Sequence, residues 1–210
     1  MVRRPAFKYS GQRSVPPVST PANISLQRTA PAAEPGSFAG RGNVAARAVV
    51  GLLAMSLALV ACSRVQHFVV PTTGMEPAIS KGDTIAVAPP KPGQVPLRGQ
   101  IVVFSAANSP DHLFIKRVVA LAGETVEIKD KALLLNGAPA SEPYVSHRDA
   151  LTFPDDPKLG EVRRRRDQLA SLRVPPGSVF LLGDNRDDSY DSRHFGPVPV
   201  QNITGYVLAK

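Results

Sequence analysis

Leu113-Phe114-Ile115-Lys116-Arg117-Val118-Val119-Ala120-Leu121 is the stretch on which the reading of this chain turns. Two cations stand inside an apolar run rich in β-branched residues, a composition that suits a pleated, half-buried strand. Side chains alternate along a strand, so Phe114, Lys116 and Val118 share one face. A lysine held between two apolar neighbours on an inward face has its charged form disfavoured. The other reading of Lys116 is an edge lysine in solvent.

The same texture extends on both sides of this run. Val65–Val70 is a short apolar run stopped by Pro71, and Thr84–Ala88 is another, closed by Pro89-Pro90. Ile101–Phe104, Val179–Leu182 and Ile203–Leu208 read as further strands. Val126–Ile128 and Leu133–Leu135 flank Lys129–Ala132, which reads as a hairpin, and Asn136-Gly137 is another turn signal. Residues 138–174 read as an irregular insert, broken by Pro139, Pro143, Pro154 and Pro157, with a short helix over the charged stretch 161–168. The chain has 21 Pro and 16 Gly among 210 residues, which favours many turns over a helix bundle. There is no alternation of strand and helix. The expectation is a mainly β domain over 63–210, an antiparallel β-barrel or sandwich-like fold.

Before residue 63 the chemistry differs. Residues 1–44 are rich in Pro, Ala, Ser and Arg without apolar periodicity, and read as a disordered tail or an over-extended start. From Ala48 to Ala61 only Ser56 is polar, behind Arg41 and Arg47. A helix of that length spans about 21 Å, short of a hydrocarbon core of roughly 30 Å. Residues 45–62 therefore read in two ways. In one, Leu59-Val60-Ala61-Cys62 is a lipobox and Cys62 becomes a lipidated N-terminus. In the other, the segment is an uncleaved membrane anchor. Both place the remaining residues outside the cytoplasm at a membrane surface. The formal charge of +8 is concentrated in this region, because residues 63–210 carry eighteen basic against sixteen acidic residues. The charge is thus poor support for a nucleic-acid partner. Arg163–Arg166 is the one basic cluster beyond residue 63, and reads as a solvated loop face or a contact with anionic lipid. With a single cysteine, neither an internal disulfide nor a Cys-based zinc site can form.

Three segments stand out together. The first is Pro71-Thr72-Thr73-Gly74-Met75-Glu76-Pro77, followed by Lys81-Gly82-Asp83. The second is Arg98-Gly99-Gln100-Ile101 followed by Phe114-Ile115-Lys116-Arg117-Val118. The third is Gly183-Asp184-Asn185-Arg186-Asp187-Asp188-Ser189-Tyr190-Asp191-Ser192-Arg193, followed by Gly196-Pro197-Val198. In order and spacing they resemble the motifs of bacterial signal peptidase I (leader peptidase), the Ser/Lys class of serine endopeptidases. The resemblance covers roughly residues 65–208. It implies cleavage of signal peptides from exported preproteins after small residues at the −1 and −3 positions, with no cofactor. It also implies roles for individual residues. Lys116 is the general base and Ser189 hydrogen-bonds and orients its amine. Thr72 supplies a hydroxyl to the oxyanion site. Asp191, with Arg117 and Arg193, forms an ion network holding the third segment against the Lys116 strand.

The resemblance breaks at the nucleophile. The family reads Pro-Ser-x-Ser-Met-x-Pro, and alignment on Pro71, Met75 and Pro77 puts Gly74 at the position of the nucleophilic serine. Thr73 is the nearest possible surrogate, yet a shift of one residue along an extended segment turns a side chain to the opposite face. A water activated by Lys116 would be slow. The sequence thus leaves open a peptidase with an unusual nucleophile, a pseudoprotease that binds extended signal-peptide-like segments, and a structural module. It does not fix the oligomeric state.

Overall fold

The computed structural model describes residues 27–28, 65–106 and 109–209. Cys62 and the rest of segments 1–44 and 45–62 lie outside the described residues, except for one pair. Gln27–Arg28 forms a short strand, β1, antiparallel to Gln66–Val69, β2. At those two positions the tail is ordered by a partner strand, which a search for apolar periodicity cannot detect. Among the described residues no helix is long and apolar enough to cross a membrane.

The fold is mainly antiparallel β, in two open sheets. Strands β3 (Thr84–Ala88), β4 (Ile101–Ala106), β5 (Ser109–Ala120), β10 (Ser178–Leu182), β11 (Val198–Pro199) and β12 (Ile203–Ala209) join β1 and β2 in the larger sheet. Its order is β1-β2-β3-β12-β4-β5-β10-β11. The smaller sheet holds β6 (Thr125–Lys129), β7 (Ala132–Leu135), β8 (Ala138–Pro139) and β9 (Leu169–Arg173) in the order β8-β7-β6-β9. Neither sheet returns to its first strand, so the barrel alternative does not hold.

Local chemistry accounts for the elements. In β3 the β-branched Ile85 and Val87 point into the core and their neighbours outward, the period of a half-buried strand. β6 and β7 pair up to Lys129 and Ala132, and the two residues between them, Asp130 and Lys131, both have positive φ, as a type I′ hairpin requires. Asn136 and Gly137 make the next turn in the same way. The stretch 138–174, which reads as irregular, supplies β8 and β9. The signal for β9 was weak because only Leu169 and Leu172 face inward among polar neighbours. Helix α1 is confined to Glu161–Arg164, within the charged stretch.

Arg163–Arg166 is not a free solvated face. Arg166 binds Asp149 and Asp167 and lies over the Phe153 ring, Arg164 pairs with Asp155, and Arg165 donates to the Arg193 carbonyl. Of these acids, Asp149 and Asp155 lie outside the charged stretch 161–168, and only the fold brings them to it.

β5 and β10 place the site. Both faces of β10 are covered. Val179 and Leu181 pack with Val118 of β5 on one side, and Phe180 and Leu182 pack with Val119 and Ala120 on the other. The pairing of these strands ends at Leu182↔Arg117. There β10 departs into the third motif, and Lys116 is the first β5 residue beyond the paired region. Among the described residues, β5 upstream of Arg117 pairs with β4 on one edge and with no strand on the other.

Candidate functional site

Lys116 projects from β5 between Phe114 and Val118, which pack in one apolar cluster. Its residue is 6% exposed. Burial is the largest influence on its amine and lowers the pKa from 10.5. The Asp191 carboxylate pulls the other way, and Arg193 adds to the lowering.

The first motif reaches the amine through a tight loop between β2 and β3. Val70 closes the loop on both sides: its N–H donates to the Asp83 carbonyl at 2.9 Å, and its carbonyl accepts from the Gly82 N–H at 2.7 Å. Met75 is buried with Val70, Ile79, Ile85 and Ile115, which anchors the register of the loop against β5. Gly74 is buried and faces Lys116. A Cβ built on it would stand 3.5 Å from Lys116 Nζ, 3.3 Å from the Asp188 carbonyl oxygen and 3.8 Å from Ser189 Cα. Its φ lies outside the left-handed region, so an L side chain is compatible with this backbone. Thr72 is half-buried two residues earlier. Thr73 is directed elsewhere, its hydroxyl donating to the Asp188 carboxylate.

The third motif is a buried turn, although its density of Asp, Asn, Arg and Ser suggests an exposed loop. Its charges are paired, Asp191 with Arg193 inside the motif and Asp184, Arg186 and Asp187 with partners outside it. Asp191, 0% exposed, accepts from Arg193 Nε at 2.8 Å and Nη2 at 2.9 Å, and from the Gly183 N–H at 3.0 Å. It also caps α2 (Ser192–Phe195) in a capping box with His194. Burial opposes ionisation of Asp191, yet Arg193 and these donors hold its carboxyl well below the usual carboxylate range. Arg193 reaches on to the carbonyls of Arg166 and Ser189.

Two expected contacts differ. Arg117 does not bind Asp191. Its Nε and Nη2 grip the two oxygens of Asp184 at 2.8 and 2.5 Å, its Nη1 donates to the Gly99 carbonyl, and its guanidinium lies 4.2 Å from the Tyr144 ring centroid. The network is therefore two pairs, and Asp184 is a member that the sequence reading missed. Its only signal was its place beside Gly183. The hydrogen bond expected between Ser189 and the Lys116 amine is also not formed. Ser189 Oγ is buried and has no hydrogen-bond partner among the described residues.

Three further groups went unread in the sequence. Asn185 joins the first and third motifs, its backbone N–H donating to the Gly74 carbonyl and its Nδ2 to the Thr73 carbonyl, each at 3.2 Å. Gly183 lies so close to both that a Cβ there would overlap Ser189 Oγ and the Gly74 carbonyl oxygen. Arg186, 2% exposed, binds Glu142, and Ser146 exchanges backbone hydrogen bonds with Asp184 and Arg186. The segment around 142–146 thereby braces the turn from behind. Among the described residues there is no cluster of metal-ligating side chains. The arrangement offers a desolvated amine, a backbone turn rich in N–H groups and a glycine where the amine points.

A family model described as signal peptidase, peptidase S26, matches residues 43–210. The chain is 35% identical over 143 residues to signal peptidase I of Bacillus caldolyticus, covering 67% of this chain and 76% of that one. It is 40% identical over 111 residues to signal peptidase I V of Bacillus subtilis (strain 168), covering 52% of this chain and 63% of that relative's length. A crystal structure of a signal peptidase I from Enterococcus faecalis V583 is 34% identical with a TM-score of 0.41, over 55% of this chain and 98% of that one.

Proposed function

This chain belongs to the signal peptidase family, peptidase S26, and on that footing we propose that its β domain takes up signal-peptide segments of exported preproteins without forming a serine-bound acyl-enzyme. The observation that carries this is the direction of Gly74, whose missing Cβ would stand 3.5 Å from Lys116 Nζ. The nucleophile of a Ser/Lys site belongs at that position, and glycine brings no oxygen to it. Loss of the nucleophile in serine proteases costs many orders of magnitude in rate. Thr73 is no replacement, because its hydroxyl is committed to Asp188.

What remains suits binding. The edge of β5 upstream of Arg117 has no strand partner among the described residues, which supports strand addition by an extended peptide. As the family resemblance implies, the Thr72 hydroxyl and the Gly74 N–H would receive the carbonyl oxygen of the scissile bond. Small residues at −1 and −3 are the specificity carried over from the family. The domain works outside the cytoplasm at a membrane surface, tethered by segment 45–62, either through lipid on Cys62 or as an uncleaved anchor.

The test compares the full-length chain and its Gly74→Ser variant in detergent, using a fluorescent signal peptide. Both are expected to bind it with similar affinity and to prefer it over a scrambled peptide. Only Gly74→Ser is expected to cut rapidly and to carry a transient acyl adduct. Equal binding of signal and scrambled peptides would overturn the reading, as would an acyl adduct on the wild-type chain.

A further inference from the structure

The groups around Gly74 are suited to holding one oxygen atom. Lys116 Nζ and the Asp188 carbonyl oxygen lie 3.5 and 3.3 Å from the point where a Cβ would stand, and Ser189 Cα is 3.8 Å away. A serine at 74 would carry its hydroxyl toward these groups, and glycine brings no oxygen to them. Ser189 Oγ borders the same turn. A Cβ on Gly183 would touch both it and the Gly74 carbonyl oxygen. Ser189 is 8% exposed, and its Oγ has no hydrogen-bond partner among the described residues. A buried hydroxyl left unpaired costs about 1–3 kcal/mol. Buried waters typically satisfy such groups, each making about three hydrogen bonds. The Lys116 amine, the Asp188 carbonyl and the unpaired Ser189 hydroxyl are three suitable partners, one from β5 and two from adjacent residues of the third motif.

We infer that a water molecule held between Lys116 Nζ, Ser189 Oγ and the Asp188 carbonyl replaces the serine as nucleophile, and that the domain hydrolyses bound signal-peptide segments slowly, in one displacement. This deepens the function proposed above and rests on it. The water oxygen forms a bond to the scissile carbonyl carbon while one of its protons passes to the neutral Lys116 amine. The resulting oxyanion faces the Gly74 N–H and the Thr72 hydroxyl. The C–N bond then breaks, and the Lys116 ammonium returns its proton to the departing amine. The products are a carboxylic acid and a free N-terminus, and no covalent intermediate forms. The step demands a lysine that is neutral near physiological pH. Burial drives Lys116 in that direction against the attraction of Asp191, Asp184 and Asp188, and with the help of Arg193. A free water lacks the tethering that gives a positioned hydroxyl its effective concentration, so the reaction is much slower than the serine route.

The experiment uses the full-length chain in detergent with a synthetic signal peptide bearing Ala at −3 and −1, in long incubations followed by mass spectrometry. Wild type, Lys116→Met and Gly74→Ser are compared, with peptide binding measured for each. Wild type is expected to cut one bond at a rate about 10³-fold or more below Gly74→Ser. The rate should rise with pH to a plateau whose midpoint lies below the ordinary lysine value. Lys116→Met should bind the peptide and not cut it. Intact mass should show an acyl adduct on Gly74→Ser alone. If wild type binds but cuts no faster than Lys116→Met, the water route is overturned and the binding function stands. An acyl adduct on wild type overturns the water route in favour of a side-chain nucleophile. Failure of wild type to bind the peptide overturns the function on which the inference rests.

Discussion

The Arg117 guanidinium holds both carboxylate oxygens of Asp184, at 2.8 and 2.5 Å, and each partner is the chain neighbour of a group that shapes the site. Arg117 follows Lys116, and Asp184 follows Gly183. The pair therefore fixes the spacing between the β5 strand and the third motif. Asp184 is 1% exposed, so Arg117→Met strands a buried carboxylate. The expected loss is about 3 kcal/mol in urea denaturation. Arg117→Met combined with Asp184→Asn should cost less than the sum of the single changes, because the double variant leaves no unpaired charge. Strict additivity would show that the two residues act independently.

Gly74 and Gly183 should respond oppositely to a methyl group. At Gly74 a Cβ meets its neighbours at 3.3 Å or more, on a backbone that accepts L residues. Gly74→Ala should change stability by less than about 1 kcal/mol. At Gly183 the methyl would collide with Ser189 Oγ and the Gly74 carbonyl. Backbone cannot yield as a flexible side chain does, so Gly183→Ala should cost about 1–3 kcal/mol and abolish peptide binding. Thermal melts of the two variants, run together, check both statements.

Lys116→Met should stabilise the protein, with a pH dependence that reports the lysine. The folded-state pKa of Lys116 lies below its unfolded value of 10.5. Between those two values the unfolded chain binds more protons, so wild-type stability rises with pH. Below the folded pKa the full cost of a buried ammonium is present. The advantage of Lys116→Met is therefore largest at mildly acidic pH and shrinks as pH climbs toward 10.5. An advantage that is flat or grows with pH would contradict a desolvated amine.

Asp191 works in the opposite sense. Its carboxyl titrates below the ordinary value of 3.8 in the folded protein, so it stabilises the fold above that value. The contribution is lost as pH falls below 3.8 toward the folded pKa. Asp191→Asn removes the counter-charge of Arg193, which is 1% exposed, and should cost about 3–5 kcal/mol at neutral pH. The difference from wild type should narrow in acid. Equilibrium denaturation across the acidic range measures both effects.

The sequence made the strands legible because most are apolar runs ended by Pro, Gly or paired turn residues. β9 escaped because only two of its residues face inward, and Gln27–Arg28 escaped because its order comes from β2. The site was legible where a motif names its residue, as for Lys116, Gly74 and Asp191. It was illegible where pairing depends on the folded register. Nothing in the sequence assigns Arg117 to Asp184 instead of Asp191, since both acids lie in one dense motif. Nor does it distinguish a buried turn from an exposed one. Asn185 and Gly183 matter through backbone proximity to Gly74, which only the packed loop between β2 and β3 brings about.

The ordinary backbone at Gly74 bears on the history of this protein. The turn does not demand a glycine there, and a Cβ would press only on the Asp188 carbonyl oxygen, at 3.3 Å. Codons of the form GGY and AGY differ by a single base, so serine and glycine can interchange at this position in one mutational step with little penalty in folding. The residue at 74 is thus free to follow selection on chemistry alone. A lineage carrying this fold could lose fast proteolysis and regain it without passing through an unfolded intermediate form.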